Sequence, residues 1–174
     1  MTILPDDNLP QPSSQSRDAD GRLVSVSFDS APPMTSGDNA WLIAVDGSRH
    51  SQQAVVEAIR LAGEMSAGRL QLVHVQHWMS REAAESELAQ RGWAATRAAR
   101  SALAAHGLPW RLHIVMGECA ESILRVASEQ GCRGIVIGSR GLGAAVSILI
   151  GSVAEKLIQF SPLPVLVTGN CARD

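Results

Sequence analysis

The residues with the clearest chemical potential lie in one run, Gly138-Ser139-Arg140-Gly141-Leu142-Gly143, which continues through Ile150 to Gly151-Ser152. Gly138 and Gly141 can take left-handed backbone angles. Lacking a Cβ, they let main-chain N–H groups come close to an anion. Gly151-Ser152 opens a helical stretch, and the unpaired N–H groups and positive dipole end of a helix attract negative charge. Arg140 adds a planar cationic fork. Phosphate is the ligand chemistry these features share. Plain turn chemistry accounts for the same residues without a ligand. Ser152 with Glu155 three residues on forms a capping box, worth about 1 kcal/mol, and glycines between a strand and a helix are common punctuation.

Two standard phosphate patterns do not fit. Of 15 basic residues only Lys156 is a lysine, and it follows Glu155 inside a helix rather than standing in a Gly-Lys-Ser/Thr loop. A dinucleotide fingerprint requires GxGxxG after the first strand. Here Gly141-x-Gly143 meets Val146 at the third position and falls late in the chain. Other constellations point to structure rather than chemistry. His74 and His77 lack a third ligand nearby for zinc. Ser48 and Ser139 lack an identifiable base and a G-x-S-x-G context. Arg91, Arg97 and Arg100 read as a solvated helix face. Cys119, at a helix start, reads as a small packed residue rather than an activated thiol.

The elements that must position the loop follow from periodicity. Trp41 to Val45 is a short apolar run ended by the turn Asp46-Gly47-Ser48. Val55, Ala58, Ile59, Ala62 and Met65 then recur on one helical face, which Gly68 ends. Leu70 to Val75 is a second strand. Ser80 caps a long helix reaching Gly107. Arg111 to Val115 is a third strand, Ala120 to Gln130 a helix, and Gly134 to Ile137 a fourth strand running into the glycine loop. Ser152 to Phe160 and Pro164 to Thr168 complete a β-α-β-α-β-α-β-α-β order. Such an order predicts an α/β three-layer sandwich with a five-stranded parallel sheet, Rossmann-like, covered on both faces. Its ligand crevice belongs at the carboxyl ends of the strands, near the switch in strand order.

Residues 1–39 differ from this core, with five of the eight prolines and a charge of −4 against +2 for residues 40–174. They read as a disordered or loosely docked arm. Within it, Val24, Val26 and Phe28 alternate with serines, a weak strand signal that could dock on a sheet edge. The net charge of −2 gives no general attraction to nucleic acid or anionic lipid. Aromatic residues make up 3% of the chain, too few for a base-stacking platform. Three cysteines without a CxxC pair fit a reduced compartment. The uncharged stretch Gly141 to Ala154 is too short to span a bilayer, which needs about 20 residues. The first residues lack the pattern of a signal peptide. A cytoplasmic protein without nucleic-acid or membrane partners is expected.

The spacing Gly138-x-x-Gly141, nine residues, then Gly151-Ser152 resembles the nucleotide motif of the universal stress proteins. Ala44-Val45-Asp46-Gly47-Ser48, Val73-His74-Val75, Met116-Gly117-Glu118 with Ala120 to Leu124, and Pro164 to Val167 extend the resemblance over residues 40–169. It implies a homodimeric sandwich of the adenine nucleotide α-hydrolase-like type that binds ATP, with ADP or AMP as alternatives, and Mg2+ carried with the nucleotide. By resemblance, Asp46 meets the adenosine part and Val75 lines the adenine pocket. Gly138, Gly141, Gly151 and Ser152 hold phosphates, with Ile137 and Arg140 beside them and Val153 next in line. The last strand, residues 164–168, is the implied dimer edge. The implied role is a regulatory or sensor module with an unidentified protein partner, rather than a dedicated enzyme, any hydrolysis being slow. The alternatives are a nucleotide-free dimeric interaction module of the same fold and, behind it, a slow ATPase or an ATP pyrophosphatase. Three departures stand out: Cys119 where relatives often have proline, Ala154 where many have a hydroxyl, and a short connection after the second strand.

Overall fold

The computed structural model describes residues 8–34, 39–64, 69–140 and 150–169. The chain opens with a hairpin, β1 (Ser14–Arg17) and β2 (Leu23–Asp29). It continues as β3 (Ala40–Ala44), α1 (Arg49–Glu64), β4 (Arg69–Gln76), α2 (Arg81–Ala95), α3 (Arg97–Ala105), β5 (Trp110–Met116), α4 (Cys119–Glu129), β6 (Gly134–Gly138), α5 (Ser152–Phe160) and β7 (Val165–Thr168). The expected alternation from residue 40 onward is present. The expected ends of the first helix, Met65 and Gly68, lie outside the described residues.

The strands join into one sheet in the order β1-β2-β5-β4-β3-β6-β7. From β5 to β7 every pairing is parallel, with Ile43 beside both Leu72 and Val136. Helical crossovers between parallel strands bury both sheet faces, and side chains alternate accordingly. Along β3, Ile43 packs into one cluster with Leu72, Leu88 and Leu103 under α1 to α3. Leu42 and Ala44 face the other, with Ile123, Ile135 and Leu157 under α4 and α5.

The sheet has seven strands rather than the five expected, because the presumed arm supplies two. β2 runs antiparallel to β5, with Val26 opposite Ile114 and Phe28 opposite Leu112. Leu23, Val26 and Phe28 are buried, and the Phe28 ring lies 5.1 Å from that of Trp93. Burial of those side chains is what orders a segment whose composition is otherwise linker-like. On the opposite face the serines are used as well. Ser27 Oγ is 3.1 Å from His113 Nδ1, and His113 Nε2 is 2.7 Å from Gln71 Oε1, a buried network tying three strands together. Arg111 Nε donates to Asp29 Oδ1 at 2.7 Å, and the Trp110 N–H to Ser30 Oγ at 2.9 Å. β1 is wholly exposed and polar, which leaves the sheet a short outer edge ill suited to further pairing.

The single long helix expected between Ser80 and Gly107 is two. Ser80 caps α2 as expected, its Oγ accepting from the Ala83 N–H at 3.2 Å, and Gly107 takes the left-handed φ of +64° beyond α3. Between them, Thr96 is fully buried and its Oγ1 donates to the Gly92 carbonyl at 2.8 Å. Such back-bonding bends helices. The bend brings Arg100 beneath the sheet-facing surface, 3.4 Å from the Trp93 ring centroid and donating to the Trp93 carbonyl at 2.9 Å. Arg100 is therefore buried, not part of a solvated face.

Candidate functional site

Strand order reverses between β3 and β6: the chain winds from β3 outward to β4 and β5, then returns to β6 and β7 on the other side. In open parallel sheets this is where a crevice opens beyond the carboxyl ends of the strands. The Ile43–Val136 pairing, continued by two and three residues, sets Val45 alongside Gly138 and Asp46 alongside Ser139. α1, α4 and α5 all begin at this edge, each presenting the positive end of its dipole.

Asp46 is half-buried just past β3, and its Oδ1 accepts the Ser48 N–H at 2.9 Å. This Asx turn, with Gly47 at φ +83°, turns the chain into α1. Ser48 Oγ then accepts the Ser51 N–H at 3.1 Å, capping the helix. One carboxylate oxygen is thus committed to the turn, which fixes the direction of the carboxyl group. The neighbouring groups respond to Asp46. Burial pulls His74 below the usual histidine value, against the Val45 carbonyl and the Asp46 charge, which raise it. Its Nδ1 lies 2.7 Å from that carbonyl and its Nε2 accepts from the Gln76 amide at 2.8 Å, which together select the neutral Nδ1–H tautomer. Burial raises the Cys119 thiol, as do the charges of Glu118 and Asp46. The thiol is half-buried, and the shift is away from an activated thiolate.

Gly138 ends β6, and the reason for glycine there is packing. A Cβ would lie 2.5 Å from the His50 carbonyl oxygen and 2.9 Å from the His50 Cβ. Gly138 is not among the glycines with positive φ, so close approach of α1 to the strand, rather than left-handed backbone, excludes a side chain. Replacing Gly138 with alanine is expected to lower stability by about 1–3 kcal/mol, since the obstacle is backbone. A shift of the urea midpoint with an unchanged slope would show it, and an unshifted midpoint would contradict it.

The glycine loop leaves and returns through a clasp at Ser139. The Ser139 N–H donates to the Thr168 carbonyl at 2.8 Å, and its own carbonyl accepts from the Gly151 N–H at 2.6 Å. Gly151 is the N-cap of α5 with extended backbone, making Ser152 the first helical residue. The capping box expected of Ser152 and Glu155 does not form, because the serine stands one position too late. Gly151, the N-cap residue, has no side chain to cap α5, and the Ser152 hydroxyl is exposed at the helix start. In the first turn of a helix the N–H groups have no partner within the helix, so this end keeps its capacity for an anion. Arg140 is half-buried immediately after Ser139. Gly141 lies outside the described residues.

Asp46, Gly138, Arg140, Gly151 and Ser152 therefore come to one edge of the sheet. Val75, the last but one residue of β4, is half-buried beside them in sequence register but two strands from β6. Ile137 and Val153 turn into the apolar cluster under α4 and α5, forming the floor beneath the crevice. Sequence reasoning passed over the Ser139 clasp and the Ser48 cap. A serine directly after an Asp-Gly turn, with Ser51 three residues on, was the available signal for the second. Lys156 reaches Glu118 at 2.8 Å, joining the start of α4 to α5. Among the described residues no group of three His, Cys, Asp or Glu side chains could hold a metal ion, and no helix is long and apolar enough to cross a membrane.

The sequence pattern of the universal stress protein family matches residues 41–169. The universal stress protein YxiE of Bacillus subtilis is 31% identical over 147 residues, covering 74% of this chain and 97% of that one. Among solved structures, protein MJ0577 of Methanocaldococcus jannaschii superposes with a TM-score of 0.68 at 24% identity, covering 76% of this chain and 96% of that one. A universal stress protein family protein of Arabidopsis thaliana with AMP bound does so with a TM-score of 0.58 at 18% identity, over 77% and 93% of the two chains. Sandwich, switch point and sequence pattern agree over the same residues, and the chain belongs to the universal stress protein family.

Proposed function

We propose that this protein binds an adenine nucleotide at the switch point between β3 and β6, and acts as a regulatory or sensor module rather than a dedicated enzyme. The observation that carries this is the convergence of a fixed half-buried carboxylate, Asp46, with the start of α5 at Gly151-Ser152, where the N-cap residue is glycine. The ligand in the AMP-bound relative has the matching chemistry, a nucleoside joined to phosphate. The Asp46 carboxylate, its direction fixed by the Ser48 N–H, has the acceptor chemistry that ribose hydroxyls need. Val75 supplies apolar surface for a base. The N–H groups of Ser152 and Val153 sit where phosphates gain from a helix dipole, with Gly138, Arg140, Gly141 and Gly151 along the same loop. ATP is the preferred ligand, with ADP or AMP as alternatives. Mg2+ would be carried with the nucleotide on its phosphates.

The same reading includes a homodimer through β7. That strand is the far edge of the sheet, its outer side has no neighbour among the described strands, and Ile158 and Phe160 of the adjacent α5 are exposed. A cytoplasmic setting and a protein partner for the dimer complete the proposal.

Calorimetric titration with ATP and Mg2+ tests it. Wild type is expected to bind and Asp46→Asn to bind about tenfold or more weakly, because the amide keeps the Asx turn but loses charge-assisted acceptance. Gly141→Asp, which sets a carboxylate against the phosphates, is expected to abolish binding. Equal binding by all three proteins, or none by wild type, would refute the site.

A further inference from the structure

The β1–β2 hairpin precedes the family-matched residues, yet its turn emerges at the nucleotide-bearing edge of the sheet. The reason is register. β2 is antiparallel to β5 with Ser25 opposite Val115, so the start of β2 lies at the carboxyl end of β5, next to that of β4. The turn between the strands is firmly built. Asp18 Oδ1 accepts the N–H groups of Asp20 at 3.0 Å and Arg22 at 2.9 Å, and Gly21 supplies φ +74°.

From this turn two arginines reach across to neighbouring elements. Arg17 makes a two-pronged ion pair with Glu85 of α2, at 2.8 and 2.7 Å. Arg22 donates from Nη1 to the Met79 carbonyl at 3.3 Å, and its guanidinium lies 5.7 Å from the centroid of the exposed Trp78 ring. Trp78 and Met79 belong to the His77–Ser80 connection, which runs on directly from Val75 and Gln76. Within this connection Met79 packs against the core cluster and Ser80 caps α2, while Trp78 is exposed. Here an arginine from outside the family-matched region pins it by main chain and by ring.

We propose that Arg22 is a positioning residue for the nucleotide site, holding His77–Ser80 as a fixed wall on the β4 side of the crevice. This inference rests on the nucleotide reading above. Without the pin, the wall fluctuates and must be ordered afresh when ligand binds, which weakens retention.

The test is stopped-flow dissociation of a fluorescent ATP analogue from the full chain, with thermal midpoints measured alongside. Arg22→Ala is expected to release the analogue about three to ten times faster, the scale of one lost cation–π contact and one charged hydrogen bond. Arg22→Lys, which keeps a cation and a donor, should recover most of the wild-type rate. Arg17→Ala loosens the hairpin at α2 without touching the wall and should leave the rate unchanged. Wild-type dissociation from Arg22→Ala, or equal acceleration by Arg17→Ala, overturns the role of Arg22 while leaving nucleotide binding intact. No binding by wild type overturns the nucleotide reading itself, and this inference with it.

Discussion

Phe28→Ala is expected to destabilise the protein by about 3–5 kcal/mol, the usual cost of emptying a buried aromatic site. Phe28 is fully buried and belongs to the same cluster as Leu88, Leu103 and Trp110, with Trp93 against its ring. Its removal leaves a void between β2 and α2 that neighbours on a regular sheet cannot collapse to fill. The size of the effect distinguishes two roles for the N-terminal segment. If it were an appended arm, truncating one of its side chains would cost a few tenths of a kcal/mol, as surface changes do. A loss of several kcal/mol places the hairpin within the cooperative unit. Urea denaturation followed by tryptophan fluorescence measures this. A midpoint shifted by less than about 0.5 kcal/mol would show that β2 contributes little to the folded state.

The second large effect is on the pH dependence of stability. His113 is buried between Ser27 and Gln71, and burial, helped by the charge of Arg111, pulls its pKa down to about 4 against the opposing charge of Asp29. The ordinary histidine value is 6.5. Below that value the unfolded chain takes up a proton that the folded protein refuses until about pH 4. Stability therefore falls as pH drops through this window, by about 3 kcal/mol in all, and this group adds no further change below it. His74, lowered chiefly by burial, adds to the same slope. His113→Gln keeps a side chain able to donate and accept but removes the titration, so its stability curve should be flatter between pH 6.5 and 4. Parallel curves for wild type and variant would show that His113 does not carry the effect.

The alternation of strands and helices from residue 40 onward was readable because each element meets its surroundings along its whole length. β3 and β6 are near-continuous apolar runs, and α1 and α4 show apolar residues at helical spacing, as burial on a sheet demands. The switch point followed from connectivity rules, and with it the edge of the sheet where Asp46, Gly138 and Ser152 meet. Ser80 and Gly107 were legible too, since capping chemistry is local.

What stayed hidden depended on contacts between residues far apart in sequence. Val24, Val26 and Phe28 alternate only weakly among serines and acids, and nothing local shows that β5 offers them an edge and Trp93 a face. Thr96 looks like an ordinary helical residue until its hydroxyl turns back on Gly92, and Arg100 looks solvent-facing until that bend carries it onto Trp93. Gly138 reads as a loop glycine fitted for anions, but its lack of a side chain answers to the His50 backbone. Ser152 reads as a cap and is instead the first helical residue, because the clasp between Ser139 and Gly151 decides where α5 begins.

By itself the sequence determined the α/β order, the family pattern and the residues that gather at the switch point, because periodicity and turn chemistry act over a few residues. Only the tertiary structure decided that the sheet has seven strands, that a hairpin from the presumed arm is part of the core, and that Arg22 of that hairpin reaches the connection after Val75 and Gln76. Those outcomes are set by which surfaces lie close enough to bury apolar side chains and pair main-chain groups, and chain distance carries no record of that proximity.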